Sequence, residues 1–319
     1  MKYRWLLGLT FVLVLLAPAK IPLRAAPVDD LVAAAKKEAA LELYAPSTLG
    51  PEGAQALAQA FNKKYGLSIK LGFNPSQNMT RDVAKLIATA ATGVAPEWDI
   101  MAVTDAHHGT LWLRKLHKPF DYAQLGVDAK VIKYDGGALS FANQFVLPAY
   151  NKSVLPAKDV PRRWEDLLDP MWRGGKLGMP TATHQLARLA LGPWGEKKTT
   201  EFVAALAKLE PSLGTMPALY NRLLLGEILV VGTISDDEVG RASKTGAPVV
   251  FAEGLEPVIS PAYHVGVVKG ALHPNAGHLF SAFLTSREGQ EGWEKFSGQS
   301  SAFVPGTKAY EYVQGKQVI

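Results

Sequence analysis

The sequence contains no cysteine. That excludes disulfides, thiolate metal sites, a cysteine nucleophile and a lipid carried on a cysteine behind a leader. Common catalytic spacings are missing too. None of the seven histidines belongs to an HExxH pair, and neither a GxSxG elbow nor a GxxxxGK[ST] phosphate loop occurs. Long charge runs, low-complexity tracts and solenoid-period repeats are lacking. Past the first twenty residues no stretch is long and apolar enough to cross a bilayer; the longest, residues 223–231, is interrupted by Gly226 and Glu227. Lysines and arginines are scattered, and the formal charge is only +5, so no basic stripe points to nucleic acid.

What is present is an ordinary folding composition, 48% hydrophobic and 20% charged over 319 residues, enough for one large or two medium domains. The first residues read as an export signal: Lys2 and Arg4, an apolar core at 5–16, then the small residues Ala17 and Ala19 flanking Pro18. A signal peptide over residues 1–19, cleaved after Ala19, implies a soluble periplasmic protein. Losing Lys2 and Arg4 leaves a charge of about +3, weak support for steering an anion.

Strand, loop and helix then alternate. Helical spacing is expected at 29–40, from Ala56 to Gly66, and at 80–92 before Gly93; strands are expected at 41–44, 67–73 and 98–103. This alternation is the sequence sign of an α/β lobe with a largely parallel sheet. Later segments predict helices at 184–191, 199–209, 220–225, 276–284 and 289–297, with a strand at 228–232.

Residues 161–180, PRRWEDLLDPMWRGGKLGMP, are the most particular. Pro161 and Pro170 bracket a short helix, Gly174-Gly175 makes a turn, and a short apolar run follows. Trp164, Asp166, Leu167, Leu168, Asp169, Pro170, Trp172 and Gly174 resemble the W-x-D-L-L-D-P-x-W-x-G segment of bacterial periplasmic solute-binding proteins of the iron-binding-like group. Residues 33–47 (AAAKKEAALELYAPS), 60–73 (AFNKKYGLSIKLGF), 93–103 (GVAPEWDIMAV) and 273–293 (HPNAGHLFSAFLTSREGQEGW) resemble the same family in the same order. The resemblance implies a two-lobed α/β fold of the type 2 periplasmic-binding class. Each lobe is expected to be a mixed, mostly parallel sheet flanked by helices, with the ligand cleft between lobes. It implies one lobe from residues 28–145 and 260–319, a second from 146–259, and hinge closure on a small solute for an ABC importer. The expected partners are that solute and a transporter permease, with the chain acting as a monomer.

Ligands in α/β sheets bind beyond the carboxyl ends of strands. That rule selects Ser47 and Thr48, Gln77 and Asn78, Thr104 and Asp105, and, in the second lobe, Thr181 and Thr183 with His184 opening the next helix. Backbone N–H groups at helix starts favour an anion. The competing reading is that each residue caps its own helix, which for any single hydroxyl is the better account. Residues 225–238 are the decisive stretch. Iron-binding members of the resembled family carry two adjacent tyrosines there. This chain has Thr233, Ile234, Ser235, Asp236, Asp237 and Glu238, and the nearest tyrosine, Tyr220, stands alone. Ser235, Asp236 and Tyr220 are therefore ligand candidates without an iron pair. The three consecutive acids suit a metal in type but not in geometry, since helical neighbours diverge; one of them can instead meet an ammonium group. No cofactor and no metal are expected. The favoured solute is an oxyanion-bearing organic molecule. A ferric-iron or other metal-binding member of the family is the first alternative. An exported metal-assisted hydrolase using Asp236, Asp237 and His184 is the second, and it lacks a nucleophile or a metal cluster.

Overall fold

A computed structural model describes residues 27–181 and 184–319. The expected signal peptide and Thr183 lie outside the described residues. The chain lays down β1 (Ala40–Pro46), β2 (Lys70–Ser76), β3 (Ile100–Thr104), β4 (Ile132–Lys133) and β5 (Ala138–Asn143) in one sheet. It builds a second sheet from β6 (Val146–Asn151), β7 (Leu177–Pro180), β8 (Ser212–Gly214), β9 (Val230–Ser235) and β10 (Val249–Phe251). It then returns to the first through β11 (Ala262–Val267). The orders are β2-β1-β3-β11-β5-β4 and β10-β6-β9-β7-β8. Both sheets are mixed. Parallel pairing joins β1 to β2 and β3, and β7 to β8 and β9. The strands next to the crossings, β5, β6 and β11, pair antiparallel, so the parallel share is smaller than the alternating pattern suggests.

Helices α1 (Pro27–Glu38), α2 (Gly50–Tyr65), α3 (Met79–Thr92) and α4 (Asp105–Leu113) flank the first sheet. Around the second sheet run α5 (His184–Ala187), α6 (Gly195–Ala207), α7 (Met216–Leu224) and α8 (Asp236–Lys244). The chain ends in α9 (Pro274–Leu284), α10 (Arg287–Ser297) and α11 (Lys308–Val313). Gly66 and Gly93 end α2 and α3 in left-handed conformations, at φ 63° and 74°, where a side chain would be strained. The helix expected over 184–191 is one turn of α5 followed by a 3-10 turn at Arg188–Leu191.

Each sheet has its own core. Leu41, Leu43, Ile100, Val265, Phe280 and Trp293 fill the first. Trp164, Leu167, Trp172, Leu177, Phe202 and Val230 fill the second. The 161–180 segment is a plug for that second core. The Trp164 indole donates to Pro257 O at 3.0 Å, the Trp172 indole to Asp166 O at 2.8 Å, and Asp166 Oδ2 accepts from the Arg162 and Arg163 backbone at 2.9 Å. Buried indole N–H groups with partners fix both rings. Helices α9 and α10 pack on the first sheet's side, where Phe280, Phe283 and Trp293 are buried. The chain end does not follow them. Ala309, Val313 and Ile319 join the second core, and Val258 and Ile319 exchange backbone bonds through Gln317 O and Val258 O at 2.8 and 3.0 Å.

Besides the stretch that joins α10 to α11, two strand-linking segments cross between the sheets, 143–146 and 259–262. They are tied to each other by Gln144 N–H to Pro261 O (2.9 Å), Val146 N–H to Ile259 O (2.8 Å) and Asn143 Nδ2 to Ser260 Oγ (3.0 Å).

Candidate functional site

The strand ends of the two sheets meet across a gap, and two aspartates mark the meeting. Asp105 directly follows β3 and opens α4. Its carboxylate takes both arms of Arg188, which lies beyond β7 on the other sheet: Nη1 to Oδ2 and Nη2 to Oδ1, each 2.7 Å. Arg188 Nε donates to Gln185 Oε1 at 3.1 Å, and Ala106 N–H donates to Asp105 Oδ1 at 2.7 Å. Both side chains are largely covered, 16% exposed for Arg188 and 24% for Asp105. Burial alone would raise the Asp105 carboxyl, but the hydrogen bonds and charge of Arg188 outweigh it and hold the group below its usual range. A planar guanidinium fork matched to a carboxylate is the strongest common ion-pair geometry.

Asp236 directly follows β9 and opens α8. With Thr48, Asp237, Lys244, Ser297 and Gln299 it lines a cleft of about 510 Å³ between elements of the two sheets. Burial, and then the charge of Asp237, push its carboxyl up to about 7. Its Oδ1 is buried without a hydrogen-bond partner, as is Gln299 Oε1. Gln299 is 4% exposed, and its amide bonds the Tyr263 hydroxyl. Burial, and then the charges of Asp237 and Asp236, push that phenol up to about 12. Asp237 Oδ1 accepts from Gln144 Nε2, on a crossing segment, at 2.9 Å.

The sequence candidates divide accordingly. Thr48 and Asp236 share the cleft, while Asp105 is committed to Arg188. Ser47 is exposed at the start of a 3-10 turn, Gln77 is exposed, and Thr181 is exposed with its N–H on Gly214 O. Asn78 is a helix cap: its Oδ1 accepts from Arg81 N–H at 3.0 Å. Thr104 Oγ1 bonds His107 Nδ1 at 2.7 Å. Ser235 ends β9 opposite Val146, half-buried. Tyr220 does not face the gap as expected. It packs in a third core with Leu219, Leu223 and Val231, because the 3.6-residue repeat of α7 turns 219, 220 and 223 inward together. The side chain of His184, which opens α5, is outside the described structure. His108, His117 and His264 form a buried cluster in which His108 stacks on His117, with His108 Nδ1 2.9 Å from His117 Nε2. Among the described residues, no group of three or more histidines and acids is arranged to hold a metal.

Sequence reasoning missed Arg188, Gln299 and Gln144. Nothing local distinguishes Arg188 from the other basic residues. Gln299 and Gln144 become neighbours of Asp236 and Asp237 only when the crossing segments bring distant stretches together.

The family profile described as bacterial extracellular solute-binding protein matches residues 114–316, more than half of the chain. This chain belongs to that family. As a solute-binding protein it is a binding component of the ABC-transporter class and not an enzyme. None of the curated proteins matches it. Solved structures share the fold. Iron-bound HitA from Pseudomonas aeruginosa superimposes with a TM-score of 0.69 at 18% identity, covering 87% of this chain and 92% of that one. IdiA (FutA) of Trichodesmium, in complex with iron and citrate, has a TM-score of 0.69 at 17% identity, covering 86% and 90%. AfuA from Actinobacillus pleuropneumoniae, with exogenous fructose-6-phosphate bound, has a TM-score of 0.61 at 20% identity, covering 82% and 84%. This solute-binding protein therefore has the two-lobed fold, and among its described residues no helix is long and apolar enough to cross a membrane.

Proposed function

We propose that this solute-binding protein is a monomeric periplasmic capture component, exported behind residues 1–19, that closes on a small oxyanion-bearing organic solute and presents it to its permease. In this reading residues 28–145 and those from 260 through α10 form one lobe. Residues 146–259 form the other, joined by α11 and the chain end. The crossings at 143–146 and 259–262 are the hinge.

The Arg188–Asp105 pair carries the reading. A guanidinium already holds a carboxylate in bidentate geometry across the gap, and a solute carboxylate or phosphoryl group offers the same fork in exchange for Asp105. The hydroxyls of Ser47, Thr48, Thr181, Thr183 and Ser235, selected from the sequence, are the candidates for further donors to the solute. Ferric iron, bound by two of the structural neighbours, is the competing cargo. It is disfavoured because Thr233, Ile234 and Ser235 stand at the end of β9 in place of paired tyrosines. The sugar phosphate held by a third neighbour is closer in chemistry to what Arg188 accepts.

The test is a thermal-shift screen of the mature chain against carboxylates, phosphonates, sugar phosphates, amino acids, polyamines and ferric iron, since a bound ligand raises stability by mass action. An oxyanion hit is expected, with micromolar affinity corresponding to about −8 kcal/mol. Arg188→Ala is expected to weaken it by at least about tenfold, and Ser47→Ala and Thr183→Ala by less. Stoichiometric, tight ferric binding with visible colour, or an oxyanion hit indifferent to Arg188→Ala, overturns the reading.

A further inference from the structure

We propose that the cleft between Thr48, Asp236 and Gln299 is a seat for a positively charged nitrogen of the captured solute, a primary ammonium group. The inference deepens the capture reading above, because it assigns a second charge to the same solute at the same gap. Asp236 and Gln299 both line this one cleft, and each carries a buried acceptor, Oδ1 and Oε1, with no hydrogen-bond partner among the described residues. A buried polar atom left unpaired costs about 1–3 kcal/mol, so two acceptors at one cavity mark a missing donor. An ammonium group brings three donors and no acceptor, enough for both orphans and the Thr48 hydroxyl.

The surrounding contacts hold the neighbouring groups in place. The Gln299 amide is held by the Tyr263 hydroxyl and its backbone N–H by Ser297 Oγ at 3.1 Å, while Asp237 is anchored by Gln144. An oxyanion is the wrong occupant, since Asp236, Asp237 and Glu238 all face it from the start of α8. A metal ion is disfavoured by the lack, among the described residues, of three acids or histidines arranged around one point. The cleft's two lysines do not supply the missing donor: Lys308 Nζ stands 3.7 Å from Glu294 Oε1, and no bond from Lys244 reaches either orphan. Strands β7 and β9 are neighbours, so the chain leaving β7 toward Arg188 and the Asp236 start of α8 begin side by side. A solute with an oxyanion at one end and an ammonium at the other would engage both.

The experiment compares butylamine, 4-aminobutyrate and butyrate as probes on the mature chain, by thermal shift and calorimetric titration. The ammonium-bearing probes are expected to bind, and Asp236→Asn or Gln299→Met to weaken each by at least about tenfold. Butyrate is expected to respond to Arg188→Ala and not to Asp236→Asn. Equal affinity for butyrate and 4-aminobutyrate, ammonium binding indifferent to both cleft variants, or no shift with either ammonium probe at millimolar concentration overturns the ammonium seat. Binding of butylamine with no oxyanion response would sink the Arg188 reading and leave this one standing.

Discussion

Asp105 and Asp236 occupy the same kind of place. Each is the first residue after a strand and the first of a nine-residue helix, and each faces the gap between the sheets. Their environments are opposite. Asp105 meets a guanidinium from the other sheet and stays ionised below the usual carboxylate range. Asp236 is buried beside another carboxylate, and its proton is held up to about pH 7. Identical local grammar thus yields a satisfied ion pair in one lobe and an unsatisfied acceptor in the other. What differs is the partner that folding delivers, and the unsatisfied member is the one with something left to bind.

The sharpest way to break this contrast is Asp236→Asn. A carboxyl at about 7 against the ordinary 3.8 means that the folded state holds an extra proton between those values. Stability from this group is therefore full below 3.8 and is lost as pH rises through 7. Asparagine pays nothing, so the variant should gain on the parent by about 4 kcal/mol between pH 4 and pH 8. Urea unfolding of both proteins at the two pH values measures it; a difference that does not change with pH would end the argument. The buried histidines titrate in the same range with the opposite sign. Burial, and then His264's charge, hold His117 near 4, and burial holds His264 near 4, so they withdraw stability as pH falls from 6.5 toward 4. That contribution is common to both proteins and cancels in the difference.

The next effect is smaller. Arg188→Ala leaves the Asp105 carboxylate covered and alone and should cost about 2 kcal/mol, discounted from a fully buried pair because both groups keep some solvent. Adding Asp105→Asn should return part of the loss, giving a coupling of about 1 kcal/mol in a double-mutant cycle. Strict additivity would show that the pair is not formed in solution. The smallest effect separates capping from binding. Asn78→Ala should lower stability by about 1 kcal/mol by removing the bond from Arg81 N–H, while the affinity of the solute stays unchanged in titration.

Most of the architecture was legible in the sequence. Period-2 and period-3.6 patterns located the strands and helices of the first lobe, and Gly66 and Gly93 ended α2 and α3 where left-handed glycines were expected. The 161–180 segment pointed to the scaffold, and its two tryptophans, buried at 0% and 1% exposure, do scaffold work. The site was less legible. The strand-end rule selected Thr48 and Asp105, and the 225–238 stretch selected Asp236 and Tyr220, but neither could tell a capping Asn78 from a solute contact, nor an inward Tyr220 from one facing the gap. Those distinctions depend on which helix face packs and on which N–H lies within reach.

The sequence by itself determined the alternating α/β elements of the first sheet and the absence of thiol chemistry, because both follow from local periodicity and residue type; the two lobes came only from the family resemblance. Only the tertiary structure decided the electrostatics of the gap. Arg188 lies 83 residues from Asp105, and Gln144 lies 93 from Asp237. A charge or an amide changes a carboxylate only at contact distance, and the fold alone sets which distant residues come into contact.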